Sequence, residues 1–219
     1  MFPVPLDQMK IIQMNFFYFQ KLTHLIILYE NQQQHPYEIE NICSTILISN
    51  AIPTLMSFTL NYVPLDLNTD ILITLTETTS NIKYLTLYSC SIDQLQKIFY
   101  LTKLKSISCR QLSTSIRDKE FIYNLKLQKL ITNLISLKIE ATFITFNEIQ
   151  LILKQLPNLK KLELMLLLGL EDELSNGYIW ESFIKIYFKK LKIFYFLFDY
   201  LRIQKSIDEL IQPFMSHFG

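Results

Sequence analysis

The sequence predicts an α/β solenoid in which short parallel strands alternate with helices. Three observations predict it. A hydrophobic pattern, L-x-x-L-x-L with Ile, Phe or Cys standing in for some leucines, recurs seven times along the 219 residues. Its last two apolar positions are two apart, which is strand spacing and not one helical face. The segments between recurrences carry helix-start signals and helical periodicity. A strand of three or four residues buries little alone. It needs a neighbour on each side and a helix behind it, which is the physical reason for repetition.

The fullest lead-in is Leu156-Pro157-Asn158-Leu159, where Leu159 closes a turn and Leu162 and Leu164 form the strand. In chain order, residues 6–20 are apolar on too many sides for a surface helix and read as the outer helix of a partial first repeat. The first strand motif is Leu22, Leu25, Ile27. His35-Pro36 opens a helix over 38–50, with Ile39, Ile42, Cys43, Ile46 and Leu47 on one face. The second motif is Leu55, Phe58, Leu60, introduced by Ile52-Pro53, and a threonine-rich helix is expected over 66–78. The third is Ile82, Leu85, Leu87, extended by Cys90 and Ile92. Ser91 and Gln94 have the spacing of a capping box for a short helix over 93–101. The fourth is Leu104, Ile107, Cys109, followed by a helix over 115–130. The fifth is Leu134, Leu137, Ile139, with Thr142 at the place Cys90 holds in the third. Thr145 and Glu148 form a second capping box, for a helix over 147–155. After the sixth motif come an acidic loop over 171–177 and a helix through Trp180 to Lys190. The seventh motif is Leu191, Phe194, Phe196, and Ser206 with Glu209 caps a last helix to about His217.

The expected strands therefore lie near 22–27, 55–60, 82–87, 104–109, 134–139, 159–164 and 191–196 of one domain spanning 1–219. Their first residues are 33, 27, 22, 30, 25 and 32 positions apart. Each spacing accommodates the crossover of about a dozen residues that parallel strands require. Several are long enough for a true helix. The expected architecture is a horseshoe of about seven irregular repeats, with strands on the concave face and helices on the convex face.

The Cys-bearing run Leu85–x–Leu87–x–x–Cys90 and the long, irregular repeats resemble the leucine-rich repeat region of F-box/leucine-rich-repeat proteins, in the ribonuclease-inhibitor-like superfamily. The resemblance covers about 20–215. The Tyr178–Glu181 stretch, the Leu191–Phe196 strand and the Leu210–Phe214 tail are also similar to a divergent branch of that group. The resemblance implies a protein-binding horseshoe, intracellular, serving as the substrate-recognition arm of a ubiquitin ligase. In that family an N-terminal F-box docks the ligase adaptor. Here Val4-Pro5-Leu6-Asp7 stands where a Leu-Pro-x-Glu start is expected. An adaptor is thus expected only if an F-box lies outside this chain. The alternative expectation is a structural or degenerate repeat paralogue with neither catalysis nor ligase coupling.

Composition narrows the function. A net charge of +1 argues against a dedicated nucleic-acid or acidic-membrane surface. The three glycines are too few for the Gly-rich turns of a nucleotide-binding fold. The longest dense apolar run, 164–170, has seven residues, far short of the roughly 18 of a membrane span. The N-terminus has neither a basic region nor a small-residue cleavage site, so no signal peptide is expected. Cys43, Cys90 and Cys109 are odd in number and irregularly spaced. They fit reduced, buried thiols in the cytoplasm or nucleus better than a disulfide frame.

No enzyme, metal or cofactor is expected. His24, His35 and His217 fall in different repeats. Cys90 has no basic neighbour to activate it and reads as a buried turn thiol, and Cys109 reads as core. Glu171-Asp172-Glu173 lacks the spacing and glycine of a calcium loop. The aromatic runs 16–19 and 194–196 place alternate members in the core rather than on bases. What remains is the face of the strands turned away from the core. The pattern places Tyr84, Thr86 and Tyr88 in one row there, then Ser106, Ser108 and Arg110, then Ser136, Lys138 and Glu140, then Lys161, Glu163 and Met165, then Ile193, Tyr195 and Leu197. Tyr, Arg and Met are enriched at protein interfaces, so the expected partner is a protein on this concave face.

Overall fold

The computed structural model of the protein describes residues 19–28, 46, 52–61, 80–99, 101–113, 131–167, 174 and 176–198. The chain divides into two units, Met1–Cys109 and Arg110–Gly219. Among the described residues the first unit holds β1 (His24–Leu28), β2 (Ser57–Asn61), β3 (Tyr84–Ser91), α1 (Ile92–Ile98) and the first half of β4 (Ser106–Ser113). The second unit holds the rest of β4, then β5 (Ser136–Thr142), α2 (Phe146–Leu153), β6 (Lys161–Leu167), α3 (Gly177–Tyr187) and β7 (Ile193–Phe198). The fold is α/β. In the first unit β1 pairs with β2 and β2 with β3, both parallel, and β4 follows β3. In the second unit β5 pairs with β6 and β6 with β7, again parallel.

One turn recurs ahead of the strands. The amides of Leu22, Leu55, Leu104, Leu159 and Leu191 donate to the carbonyls three residues back, on Phe19, Ile52, Leu101, Leu156 and Phe188, at 2.9–3.2 Å. Pro53 and Pro157 occupy the second position of this turn, where the fixed φ of proline suits it. The first leucine of these five motifs is therefore turn, and all seven strands begin two residues later than the motifs. The same turn ends α3 at Tyr187 rather than Lys190, because Phe188 must start the turn that delivers Leu191.

The residue after the turn leucine then aligns the next strand. Within the first unit the Thr23 carbonyl accepts from Met56 and Ser57, that of Met56 from Lys83 and Tyr84, and that of Lys83 from Lys105 and Ser106. Within the second, Ile135 accepts from Lys160 and Lys161, and Lys160 from Lys192 and Ile193. Side chains of the turns add a second tie. Thr54 Oγ1 donates to the Leu22 carbonyl at 2.8 Å, Asn81 Nδ2 to that of Pro53 at 2.7 Å, and Asn158 Nδ2 to that of Thr132 at 2.9 Å. Lys103 donates in turn to Asn81 Oδ1, and Lys190 to Asn158 Oδ1.

Burial alternates as a half-buried strand requires. Leu137, Ile139 and Ala141 of β5 and Leu162, Leu164 and Leu166 of β6 are buried, with half-buried residues between them. Each fully buried leucine or isoleucine contributes about 1.5–3 kcal/mol. Ser91 starts α1 with a reciprocal box: its amide donates to Gln94 Oε1 at 2.8 Å and the Gln94 amide donates to Ser91 Oγ at 3.2 Å. Thr145 and Glu148 do the same for α2, at 2.8 and 3.2 Å. Asn176, with no counterpart among the expected caps, accepts from the Tyr178 amide and starts α3. The expected helices over 66–78, 115–130 and 206–217 lie outside the described residues. So does that over 38–50, except for the helical and buried Ile46. Of the expected helix over 6–20 only Phe19 and Gln20 are described, and they belong to the turn before β1.

Trp180 knits the second unit together. It is fully buried, lies edge-on to Phe146 of α2 at 5.0 Å, and contacts Phe196 of β7 at 4.8 Å. Its Nε1 donates to the Leu174 carbonyl at 3.0 Å. Trp180→Ala should cost about 3–5 kcal/mol in a urea melt, with Trp180→Phe milder because most ring contacts survive. Thr145→Ala removes the α2 box and should cost about 1 kcal/mol, while Thr145→Ser should keep most of it.

Candidate functional site

The alternation that buries one face of each strand turns the other face outward. In the first unit the registers place His24, Ser57 and Tyr84 side by side, and Ile26, Thr59 and Thr86 in the next row. Tyr84 and Ile26 are exposed; Thr86 and Tyr88 of β3 and Ser106 and Ser108 of β4 are half-buried. Arg110 is exposed and opens the second unit's share of β4. His24 accepts or donates through Nδ1 to Thr23 Oγ1 at 2.8 Å. His35, His217 and the run 171–173 lie outside the described residues.

The second unit brings together most of the expected positions. Register sets Ser136, Lys161 and Ile193 in one row, Lys138, Glu163 and Tyr195 in a second, and Glu140, Met165 and Leu197 in a third. The grid grades from polar on β5 to apolar on β7, where Ile193, Tyr195 and Leu197 are 42, 61 and 53 % exposed. Their neighbours Phe194 and Phe196 turn inward to Trp180. A depression of about 280 Å³ opens among Lys138, Glu163, Met165, Tyr195 and Leu197.

Its charges pair among themselves. Lys161 Nζ lies 2.6 Å from Glu163, and Lys138 Nζ lies 3.8 Å from Glu163 and 3.6 Å from Glu140. The Glu163 hydrogen bond, then its charge, raises the Lys161 pKa above the ordinary lysine value. The ammonium is therefore secured at neutral pH, and its favourable contribution fades only as pH rises through that alkaline range. Exposed pairs of this kind contribute little each. Their arrangement leaves two lysines and two glutamates with no net charge beside an apolar strip.

Two further rows follow from the same rule applied to the first two motifs: His24 and Ile26 of β1, and Ser57 and Thr59 of β2. The alternation in L-x-x-L-x-L was the signal for them. Among the described residues no three His, Cys, Asp or Glu side chains gather as metal ligands, and no helix is long and apolar enough to cross a membrane. Such a surface can bury an apolar side chain between paired charges. No family model, no curated protein and no solved structure matches this chain.

Proposed function

We propose that the chain is a leucine-rich repeat module that binds a protein partner on the outward face of its strands. In this reading the strands line the concave face of a horseshoe and the helices its convex face. The recurring turn, the shared carbonyl at the start of successive strands and the alternating burial support the repeat reading. A single observation carries the binding reading: the β5–β7 grid, in which Tyr195 and Leu197 stay exposed around a depression beside self-neutralised charges. Tyrosine is, with tryptophan and arginine, enriched among the residues that anchor protein interfaces, and a neighbouring charge rim excludes wrong partners more than it adds affinity. The role is recognition and not catalysis. The resemblance extends the proposal to substrate capture for a ubiquitin ligase, with the adaptor-docking F-box supplied outside this chain.

The alternative is a repeat module that has kept no partner. It is favoured by the ion pairs, which leave the four charges of the grid satisfied without one. The two readings separate in one experiment. The tagged full chain is used to recover partners from its own cells, and the recovered protein is then purified and titrated against wild type and Tyr195→Ala. The binding reading expects about a 30-fold loss of affinity, the size of an interface anchor. It also expects an unfolding free energy, from urea melts, within about 0.5 kcal/mol of wild type, as for an exposed position. Equal affinity for both proteins would remove the grid from the interface, and recovery of no partner that titrates would favour the alternative.

A further inference from the structure

Two thiols that lie 19 residues apart in sequence meet inside the first unit. The Sγ atoms of Cys90, near the end of β3, and Cys109, in β4, are 3.2 Å apart and share a hydrogen bond. They are 2 % and 0 % exposed, and neither is in a disulfide. Ordinary core packing of two small apolar residues does not require their sulfurs to face each other. Cys109 is reached from the inward side of β4, in line with Ile107. Cys90 is reached because the inward alternation of β3 runs through Leu85, Leu87 and Ser89 and is then broken at Cys90, which is buried next to Ser89. That phase change lies directly before Ser91, the cap of α1.

We propose that Cys90 and Cys109 are a dithiol–disulfide pair, oxidised reversibly by small-molecule disulfides of the glutathione class. One cysteine loses its proton and its thiolate attacks a sulfur of the external disulfide. A mixed disulfide forms and one external thiolate leaves. The second cysteine, deprotonated in turn, attacks the protein-bound sulfur, forming the Cys90–Cys109 bond and releasing the second external thiolate. The two protein thiols lose two electrons, the external disulfide gains them, and the two protons end on the released thiolates. The bond brings the sulfurs about 1 Å closer than they lie in the reduced chain.

Burial sets the rate. The hydrogen bond with Cys109, burial and the charge of that neighbour raise the Cys90 pKa well above its usual value. Cys90 therefore rests protonated and is slow to react. Reaction runs through local opening at the β3–α1 junction, where Cys90 is followed by Ser91 and then a helix of seven residues. The bond then ties that junction to β4 and closes the segment carrying α1.

The test uses the full reduced chain and Cys43→Ser, which isolates the pair. Each is equilibrated with oxidised glutathione under native conditions, quenched in acid, alkylated and mapped by mass spectrometry. Circular dichroism confirms that the chain is folded. The expected result is an intact mass of Cys43→Ser lower by two hydrogens before alkylation, a cross-linked Cys90–Cys109 peptide, its loss on adding reduced glutathione, and a higher melting temperature for the linked form. A linked peptide absent at equilibrium from the folded chain would overturn the proposal. So would one that forms only in urea, stable glutathione adducts on Cys90 and Cys109 without a link, or a bridge to Cys43.

Discussion

At the start of successive strands within each unit, one carbonyl accepts two consecutive amides from the next strand: Thr23 for β2, Met56 for β3, Lys83 for β4, Ile135 for β6 and Lys160 for β7. This fixes direction and register together. The residue that accepts follows the first apolar residue of its motif, so these residues align and the inward positions of successive strands align after them. A slip of one residue would turn Leu162, Leu164 and Leu166 to solvent and bring Glu163 and Met165 into the core. That cost is several buried leucines at about 1.5–3 kcal/mol each. Lengthening the spacing between motifs from 22 to 33 residues adds only about 0.4 kcal/mol of closure entropy. The spacing of the motifs can therefore vary widely while their register does not.

That asymmetry explains how much of the molecule was legible in the sequence. The L-x-x-L-x-L pattern located all seven described strands, because inward positions two apart leave a mark that crossover length does not erase. The boxes at Ser91–Gln94 and Thr145–Glu148 were legible because both partners lie within one turn of chain. Contacts between distant segments left no such mark. Asn81 and Asn158 sit in turns, where asparagine is ordinary, and nothing local announces that each reaches a carbonyl 28 or 26 residues earlier. Trp180 was readable as a helical residue but not as the ring between Phe146 and Phe196. Cys90 and Cys109 were each readable as buried, yet their meeting depends on the phase change at Cys90, which breaks the period-two rule used to read the strand.

The outward grid of the second unit was legible for the same reason as the core, being its complement. The residue types on it were given by the pattern, but their electrostatics were not. In sequence, Lys138 and Glu140 are two apart and Lys161 and Glu163 are two apart. Register alone puts Lys138 beside Glu163 and converts two local pairs into one chain of three contacts. Exposed pairs contribute little to stability. Two of the paired side chains, Lys138 and Glu163, line the depression, so the pairing holds part of its wall.

The two faces of one strand answer to different constraints. On β7, Phe194 and Phe196 are held by Trp180, and changing either disturbs packing that joins two helices to the sheet of that unit. Ile193, Tyr195 and Leu197 alternate with them and take no part in that cluster. Substitution on the outward positions therefore leaves the register and the core nearly untouched, because both are set by backbone bonds at the strand starts and by the inward residues. An apolar strip kept on that side gives up the gain of a polar, solvated face without adding to the core. Contact with an apolar surface of a partner would return that gain, and this is the physical ground on which the proposed recognition is placed on the strands rather than on turns such as those of Asn81 and Asn158, whose polar groups are already tied to neighbours.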